Sequence, residues 1–299
     1  MIKKGLFVFF LVFLLLPIAQ QSCQFITSGP LYGFSTSAPN ADFSWRDWWD
    51  EAYQGKKENF LNDNLGFRPD FIRFNNEIDY LLFGRFHLSN IVEGANHYLY
   101  MDTYIQGYLG QDYAGHDAIK ERLKKLKAIS DTLARMGKSL ILIYSRAKEF
   151  MYPEFIPETY KRQPKTITNL EAYKRICDSL KINQIDFNTW FCSVKNRTRE
   201  ALYTRQGFHW SVYGSYLAAD SLIKYIEQLR HIHMPHPVWT KIEHSEIPRD
   251  TDDDIAKKLN LISPVTTETF SYPVVSFPED ATMVKPKVIY IGDAFCPYG

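Results

Sequence analysis

Residues 119–144 carry the pattern that most limits what this chain can fold into. Ile119, Leu123, Leu126, Ile129, Leu133 and Met136 recur at steps of three and four. That spacing predicts a helix with one apolar face, stopping at Gly137. Ser139-Leu140-Ile141-Leu142-Ile143-Tyr144 comes almost at once and is nearly continuously apolar, as expected of a strand covered on both faces. The alternation continues with a helix over Leu170 to Leu180, a strand over Gln184 to Phe187, a helix from Gly214 to Arg230 and a strand over Val288 to Ile291. Helices alternating with fully covered strands predict an α/β sandwich with a mostly parallel sheet.

The chain ahead of that pattern reads in parts. Met1-Ile2-Lys3-Lys4-Gly5, an apolar run from Leu6 to Leu16, then Pro17-Ile18-Ala19 form a basic n-region and an apolar h-region. The run is shorter than the roughly 20 residues a comfortable membrane span needs, which favours a signal peptide over residues 1–22. No clean small-x-small cleavage pattern precedes Ser22, so a signal anchor with residues 6–19 in the membrane stays open. Gln20 stands where a lipoprotein signal has an aliphatic residue, which argues against lipidation of Cys23. Either leader exports the remainder to the periplasm or cell envelope. Residues 23–42, rich in Ser, Gly, Pro and Thr, read as a linker, and one domain is expected over 43–299. It opens with a helical segment from Trp45 to Phe86, broken at Gly66-Phe67-Arg68-Pro69.

Thirty-five basic against 34 acidic residues leave a net charge of +1, so no whole-chain field favours nucleic acid. Four cysteines, at 23, 177, 192 and 296, lack metal-ligand spacing; Cys177 and Cys192 read equally as a disulfide or as a pair of unlinked, buried thiols. Four aspartates surround Thr251 in the segment Asp250 to Asp254. They suit a divalent cation, but an acidic N-terminus for a helix over Ile255 to Leu259 is the plainer reading. No zinc motif or phosphate-binding glycine loop is visible, and neither metal nor cofactor is expected.

Two short motifs carry chemistry. The strand over Val288 to Ile291 opens onto Gly292-Asp293-Ala294-Phe295. Many α/β hydrolases hold a nucleophilic serine at the third position of such a turn. Ala294 has no hydroxyl with which to attack. The other motif is Gly207-Phe208-His209-Trp210-Ser211, just ahead of a predicted helix. A histidine at that place can be held in a fixed orientation, as a general base requires. A lone histidine is more often structural; its pairing with the Gly-Asp-X turn is what suggests acyl transfer.

With these motifs the chain resembles the AlgX/AlgJ-type SGNH-hydrolase-like family, which includes alginate O-acetyltransferases and the related DHHW proteins. The similarity runs from about residue 45 onward. It is carried by Phe60-Leu61-Asn62-Asp63-Asn64, Phe67-Arg68, Leu82-Phe83-Gly84, and Val92-Glu93-Gly94 through Tyr98-Leu99-Tyr100. Ser145-Arg146-Ala147-Lys148, Tyr152-Pro153-Glu154 and Ile156-Pro157 continue it, and His209-Trp210 and Gly292-Asp293 complete it.

The resemblance implies a three-layer SGNH-hydrolase-like sandwich and transfer of acetyl groups to sugar hydroxyls by an Asp-His-Ser triad. Carried across, His209 matches the base, Gly207 occupies the position of the orienting acid and Ala294 that of the nucleophile, beside Asp293. Trp210 becomes a candidate substrate-binding residue. Asp186 or an aspartate of the 250–254 run could supply the acid from elsewhere, and Cys296 is a shifted thiol two residues past Ala294. The implied partners are a polysaccharide acceptor and an acyl donor delivered by a membrane protein. Cys296-Pro297-Tyr298-Gly299 leave no room for the helix that normally comes after a nucleophile turn, so the chain reads as truncated at its C-terminus. The expected role is exopolysaccharide O-acetylation with impaired catalysis. A non-catalytic polysaccharide-binding or assembly protein and a carbohydrate acetylesterase are the alternatives.

Overall fold

The computed structural model describes residues 2–33, 37–145, 148–278 and 280–292. The candidate residues Asp293, Ala294 and Cys296 lie outside the described residues. The chain divides into two units, residues 1–87 with 257–264, and residues 88–256 with 265–299.

The first unit is helical: α1 (Ile2–Cys23), α2 (Trp45–Trp49), α3 (Ala52–Asn64) and α4 (Arg68–Phe83). The predicted break between α3 and α4 is real. Phe67 adopts a left-handed backbone (φ 63°) and Pro69 stands in the first turn of α4, where a proline has no hydrogen bond to lose. Asn76 and Glu77 of α4 are buried and fix the 259–263 segment, the Asn76 amide donating to the Leu259 carbonyl (2.9 Å) and Glu77 accepting from the Ile262 and Ser263 amides.

The second unit holds β1 (Ile91–Glu93), β2 (Leu99–Met101), α5 (Asp102–Leu109), α6 (His116–Arg135), β3 (Leu142–Tyr144), α7 (Lys148–Met151), α8 (Glu158–Lys161), α9 (Asn169–Leu180), β4 (Gln184–Asp186), α10 (Phe187–Val194), α11 (Val212–Arg230), β5 (Val238–Ser245) and β6 (Phe270–Ser276). The predicted helices reappear as α6, α9 and α11. Thr168 and Glu171 close a reciprocal capping box on α9, which satisfies two otherwise orphaned amide donors. Ile119 and Leu123 of α6 interlock with Ala172, Ile176 and Cys177 of α9, and Leu142 of β3 packs on the same cluster. Of the two readings of Cys177 and Cys192, unlinked thiols is the one found, but only Cys177 is buried as expected; Cys192 is exposed.

The mostly parallel sheet is not found. β3 and β4 form one parallel pair, Ile143 opposite Ile185, whereas β1–β2 and β5–β6 are antiparallel. The segment after Pro235, which has weak periodicity, supplies β5 and β6, whose register slips between Trp239 and Ile242. That irregularity breaks the period-two signal by which a strand is read from sequence.

Val288 to Ile291 also departs from expectation. The run has no regular secondary structure and is largely exposed. It borders a cavity of about 530 Å³ shared with Ile141, Ile143, Leu170, Leu222 and Ile226. Its backbone makes no ladder with β3, which among the described residues pairs with β4 alone. High β propensity needs an opposed backbone to become a strand.

Candidate active site

The site is built on the loop between α10 and α11, and many of that loop's backbone groups are tied down before any chemistry is considered. Ser211 caps α11 by accepting from the Gly214 amide (3.0 Å) and donates its hydroxyl to the Ala201 carbonyl (2.6 Å). Tyr203 and Trp210 bridge as an antiparallel pair, which closes the loop on itself. Glu268 accepts from the amides of Arg205 and Gln206 (3.0 and 3.2 Å). Thr204 Oγ1 accepts from the Gly207 amide (2.8 Å) and donates to the Asp252 carbonyl (2.5 Å).

Lys148, on α7, closes the other side. Its ammonium, fully buried, donates to the carbonyls of Thr204, Arg205 and Gly207 at 3.0, 2.8 and 2.7 Å. Charge-assisted bonds of this kind are stronger than neutral ones. Burial pulls the Lys148 ammonium below the usual lysine range, opposed by the charge of Glu149. Burial pushes the Glu149 carboxyl up.

On this frame sits His209. Its Nδ1 lies 2.6 Å from Asp254 Oδ2, and the other oxygen of the same carboxylate accepts from the Phe208 amide at 2.6 Å. The two side chains are 12% and 11% exposed, so the pair is sheltered from water's screening. A carboxylate on Nδ1 fixes the tautomer and the ring, leaves Nε2 as the basic atom and stabilises the imidazolium that forms when Nε2 takes a proton. The ring also stands edge-on to Phe208, centroids 5.0 Å apart.

The carboxylate that meets His209 is therefore that of Asp254. A Cβ added at Gly207 would lie 2.6 Å from Thr204 Oγ1, 2.7 Å from the Asp252 carbonyl and 2.8 Å from the Thr251 carbonyl. The 251–254 turn thus occupies the space that a side chain at 207 would need. The reading of the 250–254 aspartates as a helix cap is corrected at two of them. Asp254 serves Phe208 and His209, while Asp252 accepts from the Val212 amide at 3.3 Å. The expected helix is only a short 3₁₀ turn, Ala256–Leu259. Asp252 is almost wholly buried, and that burial pushes its carboxyl up to about 7. Asp186, the other candidate acid, caps α10 by accepting from the Asn188 and Thr189 amides and pairs with Lys174. Among the described residues no group of three or more His, Cys, Asp or Glu is placed to hold a metal ion.

Trp210 is 8% exposed and packs on Phe187 and Phe191, with ring centroids 5.7 and 5.8 Å away. As placed, it anchors the loop in an aromatic cluster and offers no open face for sugar stacking. Sequence reasoning missed Lys148, Glu268 and Thr204 as site-building residues. Only Lys148 had a signal there, as the last residue of Ser145-Arg146-Ala147-Lys148 in the family resemblance.

Comparison with known proteins adds a family to this geometry. The sequence model of the SGNH hydrolase-like domain of acetyltransferase AlgX matches residues 91–263, a span that holds Lys148, Gly207, His209 and Asp254. Among solved structures, the O-acetyltransferase domain of Pseudomonas putida AlgJ is similar at 16% identity, covering 63% of this chain and 66% of that one, with a TM-score of 0.46. Pseudomonas aeruginosa AlgX is similar at 18% identity, covering 64% of this chain and 44% of that one, with a TM-score of 0.43. The chain therefore spans less than two thirds of either structure. No curated protein sequence matches it.

Proposed function

The chain belongs to the SGNH hydrolase-like AlgX acetyltransferase family, and we propose that it acts outside the cytoplasm in O-acetylation of an exported polysaccharide, with His209 as the base and Asp254 as its orienting acid. The observation that supports this reading is the 2.6 Å contact between His209 Nδ1 and Asp254 on a loop held by Lys148, Glu268 and Thr204. In acyl transfer Nε2 would accept the proton of an attacking hydroxyl and return it to the leaving group. The acceptor is a sugar hydroxyl, and the acyl donor is delivered by a membrane protein.

Residue 294 sets the limit on catalysis. Ala294 stands at the nucleophile position of the Gly-Asp-X turn, and loss of the nucleophile in a serine hydrolase costs on the order of a millionfold in turnover. The chain as written is a base and acid without the hydroxyl they would activate. Ala294→Ser is expected to release acetate from a chromogenic acetyl ester, and Ala294→Ser with His209→Gln is expected to lose that release. An inert Ala294→Ser protein sinks the catalytic reading.

Ala294 itself favours a second reading, a polysaccharide-binding or assembly protein that keeps the fold without turnover. Saturable glycan binding by the unaltered chain, with no activity gained in Ala294→Ser, would select it. Acetate release to water but never to a sugar acceptor would select the acetylesterase reading.

A further inference from the structure

Acyl transfer to a sugar needs a surface that holds the acceptor beside His209, and Trp210 is shut away from that task by Phe187 and Phe191. Aromatic surface leaves the histidine in another direction. The Phe208 ring stands 5.0 Å from the imidazole, and the Tyr104 ring packs on Phe208 at 4.5 Å with a tilt of 54°. Phe208 is 9% exposed and Tyr104 38%, so the three rings lead from the sheltered His209–Asp254 pair to solvent. The two ring-to-ring steps keep Tyr104 within one sugar residue's reach of His209.

Tyr104 is held in place by the residues around it. It lies in the first turn of α5, whose inner face is anchored by the buried Ile105 and Leu109. Asp102, at the start of that turn, accepts from the Tyr160 hydroxyl (2.6 Å) and the Gln106 side-chain amide (2.7 Å), and its own backbone N–H donates to the Asn90 carbonyl (2.8 Å). The strand that feeds α5 is joined to the histidine loop, because the Leu99 amide of β2 donates to the Arg205 carbonyl (2.9 Å). Lys148 holds that same carbonyl, while its neighbour Glu149 accepts from the Met101 amide (3.2 Å). Tyr104 and His209 are thus carried by one hydrogen-bonded frame, and a platform on rigid elements loses little freedom when a ligand seats on it.

We propose that Tyr104 is the acceptor platform of the site: its exposed ring stacks on the apolar CH face of the sugar residue whose hydroxyl is turned to His209, with Phe208 backing it. This rests on the acyl-transfer reading above. A sugar is the occupant that fits, because a pyranose offers a CH-lined face to the ring and a rim of hydroxyls to the tyrosine O–H, which both donates and accepts. The ring meets a pyranose face and not a charge, so it serves neutral and uronate glycans alike.

The test titrates the full chain, with Ala294 as it stands and kept in detergent, with an alginate oligosaccharide and a cello-oligosaccharide by isothermal calorimetry. Tyr104→Leu keeps an apolar cover over Phe208 and removes the ring; Tyr104→Phe keeps the ring. The expected result is saturable binding that weakens about tenfold in Tyr104→Leu and stays within about twofold of the parent in Tyr104→Phe. Equal binding by Tyr104→Leu and the parent would make Tyr104 a mere cover for Phe208 and overturns the proposal, as does no saturable binding of either oligosaccharide. Failure of acyl transfer and failure of the platform are distinguishable. An inert Ala294→Ser protein whose parent still binds through Tyr104 sinks acyl transfer and leaves the platform standing. An active one whose KM for the oligosaccharide acceptor is unmoved by Tyr104→Leu sinks the platform alone.

Discussion

An aspartate restored at position 207 should damage this protein instead of repairing it. The family resemblance places the orienting acid there, so Gly207→Asp is the obvious attempt to complete the triad. Yet the Cβ alone would stand 2.6–2.8 Å from Thr204 Oγ1 and from the carbonyls of Asp252 and Thr251. Two of those three atoms are backbone in the turn that delivers Asp254, so the clash is relieved only by moving the acid already in place. Overpacking of this kind costs about 1–3 kcal/mol, which sets the expectation for Gly207→Ala. The aspartate adds a carboxylate facing two carbonyl oxygens in a buried loop, and an unpaired buried charge costs several kcal/mol more. At about 2–4 °C per kcal/mol for a chain of this size, Gly207→Ala should melt roughly 2–12 °C below the parent and Gly207→Asp lower still. Thermal melting tracked by circular dichroism reads both. Adding Asp254→Ala to Gly207→Asp should not recover the loss, because the Thr251 and Asp252 carbonyls that meet the new side chain stay in place. A Gly207→Asp protein as stable as the parent would refute the reasoning, because the 251–254 turn could not then occupy that space.

Three further substitutions probe the frame. Lys148→Met removes the ammonium from the carbonyls of Thr204, Arg205 and Gly207 and should cost about 3–5 kcal/mol in urea unfolding, as breaking a buried charged contact does; a change under about 1 kcal/mol would mean the loop holds its shape without it. Asp252, raised from 3.8 to about 7 by burial, keeps its proton in the folded state where the unfolded chain has lost it. It therefore subtracts stability as pH rises from about 4 to about 7, by up to about 4 kcal/mol, and Asp252→Asn should flatten that slope. His236 contacts Asp220 through Nδ1 (2.7 Å) and Glu227 through Nε2 (2.9 Å), hydrogen bonds that raise it above 6.5. Its stabilisation is complete below that value and is lost as pH rises through the raised one, so His236→Gln should remove a decline in melting temperature on the alkaline side of pH 6.5 and leave more acidic values parallel to the parent.

The parts of the fold that were legible are those with a local signature. The three-and-four spacing of Ile119 to Met136 and the dense apolar run after it announce α6 and β3, although only Ile119 and Leu123 of that face are buried, Ile129 and Met136 stay exposed, and β3 is half-buried instead of covered on both faces. The histidine loop was legible too, since Ser211 sits at a helix start. Its carboxylate partner was legible only as one of the 250–254 run or Asp186, because Asp254 reaches His209 across 45 residues from a segment without periodicity. Four neighbouring aspartates ahead of an apolar run look like a helix cap, and nothing local says which one folds back. The available clue was negative: a glycine at 207 leaves a space beside the histidine that another part of the chain can fill. Val288 to Ile291 failed in the opposite sense, since strand propensity was strong but the ladder it needed was not there.

The His209–Asp254 pair breaks a packing rule, and that makes its purpose testable. It is sheltered at 12% and 11% exposure on a loop whose neighbour Trp210 is buried among Phe187 and Phe191. Taking a carboxylate out of water in such a place costs several kcal/mol, and hydrogen-bonded neutral groups of similar size often do as well or better. If cohesion were the reason for the pair, His209→Gln with Asp254→Asn should lose stability. If proton transfer is the reason, the double variant should unfold within about 1 kcal/mol of the parent, because the new asparagine side chain can still accept from the Phe208 amide. Placed in the Ala294→Ser protein, Asp254→Asn alone should lower acetate release by about 10⁴-fold, since the asparagine favours the wrong tautomer. Stability and turnover would then separate cleanly at this pair. Parallel losses in both would identify the pair as part of the scaffold and leave the acyl-transfer reading without its base.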